Sequence, residues 1–159
     1  MDELLKILMT NAQESPEDLS KQLDLSVDEV KTRIADLEKR GIIRGYQAIV
    51  DEDQLDTDRV TAVIEVKVTP EREGGFDQVA KRIARFQEVR SMYLVSGNYD
   101  LLLFVESDDL KRVASFVSEK LATMDGVNAT ATHFMLKTYK HRGVLMESQD
   151  DHERLKVSP

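Results

Sequence analysis

Apolar residues recur over the first forty positions at spacings of three and four, the pattern of amphipathic helices rather than strands. Leu4, Leu5 and Leu8 mark one side of a first helix. A second opens at Ser15-Pro16-Glu17-Asp18, where serine suits the N-cap, proline the first helical position, and the acids the positive end of the helix dipole. It runs from Leu19 to Leu23 and stops at a tight connection, Asp24-Leu25-Ser26. Ser26-Val27-Asp28-Glu29 then reads as a capping box that starts a third helix, with Val27, Val30, Ile34 and Leu37 on one face and Gly41 as its left-handed stop. Residues 42–50 are expected to form a small β-element with Gly45 in its turn.

From Thr61 the period changes from helical to alternating, and the expected order becomes β-α-β-β-α-β. Ala62, Ile64, Val66 and Val68 share one face of a first strand, and Thr61, Val63, Glu65 and Lys67 the other. A turn at 70–75 leads to a helix with Phe76, Val79, Ile83 and Phe86 inward. Strands over 88–96 and 100–106 flank a Gly97-Asn98-Tyr99 turn. A second helix turns Leu110, Val113, Val117, Leu121 and Met124 inward, and Asp125-Gly126 leads into a last strand over 127–137. This split βαβ order predicts an antiparallel sheet with two helices on one face, a ferredoxin-like sandwich. The second sheet face needs a cover, and Tyr93, Val95, Thr130 and Thr132 point to a partner subunit.

The fold class is therefore α+β: a winged helix-turn-helix over residues 1–50 and a ferredoxin-like domain over 60–140. The acidic run at 51–59 reads as a linker, and 141–159 as a C-terminal tail that is polar and aperiodic from Glu147 onward. Two short helices joined by a three-residue turn place the solvent face of the second in a major groove. That face carries Asp28, Lys31, Thr32, Ala35 and Asp36, with Arg33 at its edge and Lys39 and Arg40 near its end. Arg44 is placed to reach a neighbouring phosphate. Ser26 and Glu29 have capping as their main role, with a base contact compatible with it.

Charge pulls the other way. The chain has 159 residues and a net charge of −8, and it is not divided into acidic and basic halves: residues 1–50 are themselves net −3. Duplex affinity comes largely from cations that neutralise phosphates, so only a few side chains are left to supply it. There is no cysteine, which excludes disulfides and thiolate chemistry. No apolar run approaches the roughly 20 residues of a membrane span, and the acidic start MDELLKIL lacks the basic region of a signal peptide, so a cytoplasmic protein is expected. His133, His141 and His152 do not make a metal-binding spacing, no nucleophile array or phosphate loop stands out, and neither metal nor cofactor is expected.

Three motifs in order resemble the Lrp/AsnC family of feast/famine transcription regulators over roughly residues 3–140. The first is Ser26 followed by Arg33-Ile34-Ala35-Asp36-Leu37-Glu38-Lys39-Arg40-Gly41-Ile42-Ile43-Arg44-Gly45-Tyr46. The second is Gly97-Asn98-Tyr99-Asp100-Leu101, and the third Gly126-Val127 with Thr130-Ala131-Thr132. The resemblance implies a cytoplasmic regulator that binds double-stranded DNA, dimerises through face-to-face sheets and often assembles into tetramers or octamers. It also implies a small effector, commonly an amino acid, bound between dimers near Gly97, Asn98, Tyr99, Asp100, Thr132, His133 and Phe134. Thr132 and His133 point to opposite faces of their strand, and His133 has a packed or hydrogen-bonded role as its competing reading. Val27-Asp28-Glu29 departs from the small or neutral residues usual in the family at the start of the recognition helix. Carboxylates there accept from cytosine N4 but cost affinity beside phosphates. An RNA-binding or metabolite-sensing module and an enzyme resembling sirohaem decarboxylases are the alternatives. The aliphatic central strands argue against base stacking, and the lack of a catalytic array argues against the enzyme.

Overall fold

The structure, a computed structural model, describes residues 2–70 and 75–146 and divides into two units, 1–49 and 50–159. The frayed tail expected from Glu147 onward, and most of the 70–75 turn, lie outside the described residues.

The first unit is three helices: α1 (Glu3–Thr10), α2 (Pro16–Leu23) and α3 (Val27–Lys39). Leu4, Leu19, Val30 and Leu37 form its buried centre, with Leu5, Leu8, Ile34 and Ile43 around them. The expected start signals are in place. Ser15 Oγ accepts from Asp18 N–H at 3.1 Å to cap α2, and Asp24 takes the left-handed conformation (φ 53) that turns the chain toward α3. Gly41, at φ 67, ends α3, with Ile42 N–H donating to Leu37 O and Gly41 N–H to Glu38 O, both at 2.9 Å. The expected β-element does not form. Residues 44–50 make no strand pairing among the described residues, because no second strand lies within reach to accept their backbone groups.

The second unit contains β1 (Val60–Val68), α4 (Asp77–Ile83), β2 (Val89–Leu94), β3 (Leu101–Ser107), α5 (Leu110–Ser115) continued by a π-helical turn (Phe116–Leu121), and β4 (Val127–Phe134). The strands pair antiparallel in the order β2-β3-β1-β4, the ferredoxin-like arrangement. Alternation along β1 sends Ala62, Ile64, Val66 and Val68 into the core, against Leu101, Leu103 and Val105 of β3, Val79 and Ile83 of α4, and Val113, Phe116 and Leu121. Phe86 meets Phe116 edge to face at 5.4 Å.

Three expectations are corrected here. Leu110 is half exposed because it opens the helix directly after its Asp109 N-cap, and Phe116 is buried three residues beyond Val113, on the same face. Thr130 and Thr132 lie opposite Val66 and Ile64, so they share the helix-covered face and not the open one. The last strand ends at Phe134, and residues read as the beginning of the tail form a short hairpin, β5 (Lys140–His141) with β6 (Val144–Leu145). Met146 closes that hairpin by donating its N–H to Tyr139 O, and its side chain is buried.

Candidate DNA-reading helix and effector turn

Helix α3 owes its sharp start to the capping box. Ser26 Oγ accepts from Glu29 N–H at 3.2 Å, and the Glu29 carboxylate accepts from Ser26 N–H at 2.9 Å and from the Ser26 hydroxyl at 2.8 Å. The backbone donor first, then the hydroxyl, with a small contribution from Arg33 one turn on, hold the Glu29 carboxyl below its ordinary range. Both residues are therefore occupied by the helix terminus.

The outward face of α3 is as expected: Asp28, Lys31, Thr32, Arg33, Ala35, Asp36 and Arg40 are all exposed. Their side chains are not equally available. Thr32 donates its hydroxyl back to Asp28 O at 2.8 Å, and Arg40 pairs with Asp36 at 3.1 Å, one turn apart. Lys31, Arg33, Lys39 and Arg44 make no salt bridge among the described residues. The Arg44 guanidinium folds back over the end of α3, where a Cβ on Gly41 would lie 3.1 Å from its Cζ; there it meets the negative end of the helix dipole. Just beyond, the Tyr46 hydroxyl donates to Glu38 Oε1 at 2.9 Å, tying residues 44–46 to the last turn of α3. Partial desolvation and then the neighbouring carboxylate raise the Tyr46 phenol above its ordinary value. The motif that singles out α3 runs as far as Tyr46 but gives that residue no role; its aromatic ring eight residues after Glu38 was the available signal.

The effector residues separate into three groups. Gly97, Asn98 and Tyr99 line a shallow hollow of about 280 Å³, together with Val95, Ser96 and, from the sheet, Glu65 and Leu102. Asp100 does not line it. Its carboxylate accepts from Val68 N–H at 2.9 Å, just past the point where the β1–β3 ladder ends at Val66 and Leu101, and Lys67 Nζ lies 3.8 Å from its other oxygen. Lys67 also donates to Asn98 O at 3.1 Å, so the turn is bound to the end of β1 by side chains. The third group is on β4. Thr132 and Phe134 share the face of Ile64 and Ala62, whereas His133 lies on the open face with its Nε2 3.6 Å from Glu65. One chain thus gathers the turn and, through Glu65, His133; it does not bring Thr132 and Phe134 to the hollow.

A larger hollow of about 500 Å³ lies between the end of β3 and α5. Most of its charges are paired: Lys120 donates to Glu88 at 2.6 Å, which holds that carboxyl below its ordinary value, and Arg112 lies 3.9 Å from Asp108.

With this geometry in place, known proteins sort the chain. A winged helix-turn-helix DNA-binding profile matches residues 3–44, and the profile of the Lrp/AsnC ligand binding domain matches residues 61–145. The chain belongs to the Lrp/AsnC family. It is similar to YugG, an HTH-type transcriptional regulator of Bacillus subtilis, with 49% identity over 99% of this chain and 95% of the relative. It is 29% identical to the leucine-responsive regulatory protein of Haemophilus influenzae over 90% and 86% of the two chains. Among solved structures, a transcriptional regulator of Neisseria meningitidis in complex with L-Met superposes with a TM-score of 0.68, at 26% identity, covering 89% of this chain and 93% of that one. This Lrp/AsnC chain is accordingly a DNA-binding transcriptional regulator with the family's ligand-binding domain. No described helix is long and apolar enough to cross a membrane.

Proposed function

We propose that this regulator reads its operator with the exposed face of α3 and changes its assembly or DNA affinity when an amino acid binds beside the 95–99 turn. Asp28, Lys31, Thr32, Arg33 and Asp36 are the groove-facing set. Ser26 contributes through the helix terminus, and Arg40 and Arg44 approach the phosphates once released from Asp36 and from the end of α3. The observation that carries this reading is a capped helix with a continuous exposed polar face, in a helix-turn-helix unit attached to a family ligand-binding domain.

Double-stranded DNA, a small amino-acid effector and further copies of the same chain are the partners, in the cytoplasm, with no catalytic step. A homodimer presents two α3 helices to half-sites about one duplex turn, or a multiple, apart. Exposed Tyr93 and Val95 on the uncovered side of the sheet support pairing through that face. Of the candidate effector residues, Gly97, Asn98 and Tyr99 are primary contacts. His133 adjoins them, and Thr132 and Phe134 contribute only where a second copy brings its own β4 to the hollow. An effector acts by binding one assembly more tightly than another, and shifts their balance by no more than that difference.

A gel shift on the DNA upstream of the protein's own gene, repeated with each of the twenty amino acids, tests the reading. A retarded band at low salt that at least one amino acid strengthens, weakens or moves is the expected result. No retardation of any fragment at low salt overturns it.

A further inference from the structure

Residues 44–50 carry the chain out of the first unit, which ends at Ile49. Just before them, Ile42 and Ile43 donate their N–H groups to Leu37 O at 2.9 and 3.2 Å, and Ile43 packs among the apolar residues around Leu37. Beyond them, the next backbone hydrogen bond runs from Gln54 N–H to Asp51 O. Packing does not hold the stretch between: every residue from Arg44 to Val50 is exposed, and a Cβ on Gly45 would meet nothing within 4 Å.

Along 44–50 one hydrogen bond is made among the described residues. The Tyr46 hydroxyl donates to Glu38 Oε1 at 2.9 Å, and Glu38 belongs to the last turn of α3. Partial desolvation and the Glu38 carboxylate both favour the protonated phenol, so the donor is retained. Tyr46 is thus the last residue of the first unit to be tied to the helix that faces DNA. In the dimer described above, the chain leaving α3 is the covalent path from each helix to the unit that assembles. A helix locked to its exit is aimed before it meets DNA. One that swivels must be ordered on binding, at an entropic cost, but reaches half-sites at other spacings.

We propose that Tyr46 is a positioning residue for operator recognition: its bond to Glu38 locks the exit of the chain to the end of α3 and so fixes the half-site spacing that a dimer accepts. The proposal rests on the reading of two α3 helices on two half-sites, and names the contact that makes their spacing selective.

Full-length protein is titrated with three duplexes in an anisotropy assay. These are the operator bound in the gel shift above, the same operator with about 5 base pairs, half a duplex turn, inserted between its half-sites, and a single half-site. The wild-type chain should favour the native spacing over the lengthened one. Tyr46→Phe should lose about tenfold of that preference, since each dimer holds two such bonds, with its single-half-site affinity and light-scattering mass unchanged. Glu38→Gln, which keeps a carbonyl acceptor, should retain the preference. Glu38→Ala should lose it, and adding Tyr46→Phe to Glu38→Ala should change nothing more. Full preference in Tyr46→Phe overturns the proposal. So does a loss matched on the single half-site or accompanied by a change in mass, which marks damage to the unit or to its assembly. A wild-type chain that gains from a second half-site but is indifferent to the insertion overturns the proposal and leaves the dimer reading standing. No gain from a second half-site overturns both.

Discussion

Asp100 shows how one carboxylate can look like a ligand contact and serve as a brace. Its bond to Val68 N–H satisfies a donor that lies beyond the end of the β1–β3 ladder and so has no strand partner. Removing it strands a half-buried N–H, a loss of roughly 1–3 kcal/mol. Asp100→Ala should lower the urea midpoint accordingly, and Asp100→Asn, which keeps a carbonyl acceptor, should lower it less. A variant as stable as the wild type would remove the bracing role. If the alanine variant also loses its response to an effector, the cause is a displaced turn. Three residues of the motif Gly97-Asn98-Tyr99-Asp100 line a hollow, and the fourth does not. The motif could not distribute the roles, because Asp100's partner is Val68, thirty-two residues earlier, and the bond depends on where the β1–β3 ladder ends, which has no local sequence signature. Glu65 was legible in principle, as the one acid in the otherwise apolar and β-branched run from Val60 to Val68 apart from Lys67.

At the level of elements, local rules carried far. Ser15, Ser26, Glu29 and Gly41 start and stop α2 and α3 where their chemistry dictates, and the alternation of β1 assigns its two faces without error. Expectation failed at the end of an element or where one needs a partner. A face drawn through Leu110, Val113 and Val117 takes Leu110 as inward and passes over Phe116, whereas Leu110 sits at the exposed first position of its helix and Phe116, three residues after Val113, is buried. Phe116→Ala should therefore cost about 3–5 kcal/mol, as loss of a buried aromatic ring from the core. Leu110→Ala should stay within about 0.5 kcal/mol of wild type. Chemical denaturation of the two variants decides which side chain carries the packing, and equal losses would put Leu110 back in the core. Residues 42–50 failed for a different reason: alternating apolar residues make a strand only when another strand takes up their backbone groups.

For the whole molecule, charge sets the terms of DNA binding. The first 50 residues are net −3, Arg40 is neutralised by Asp36, and Lys31, Arg33, Lys39 and Arg44 are what remains around α3. Few cations mean few counterions released on binding. Arg33→Ala and Arg44→Ala should each weaken binding to every fragment alike and reduce the slope of log K against log salt by about 1. Unchanged slopes in a salt titration would take these side chains out of the interface. The Asp36–Arg40 pair has a kinetic side as well. Random duplex offers phosphates but no matching base edges, and an interface whose basic residues are already partly satisfied has little to hold it there. Between operators such a regulator is expected to let go quickly and to slide little, and single-molecule tracking on a non-cognate duplex checks this by its residence time.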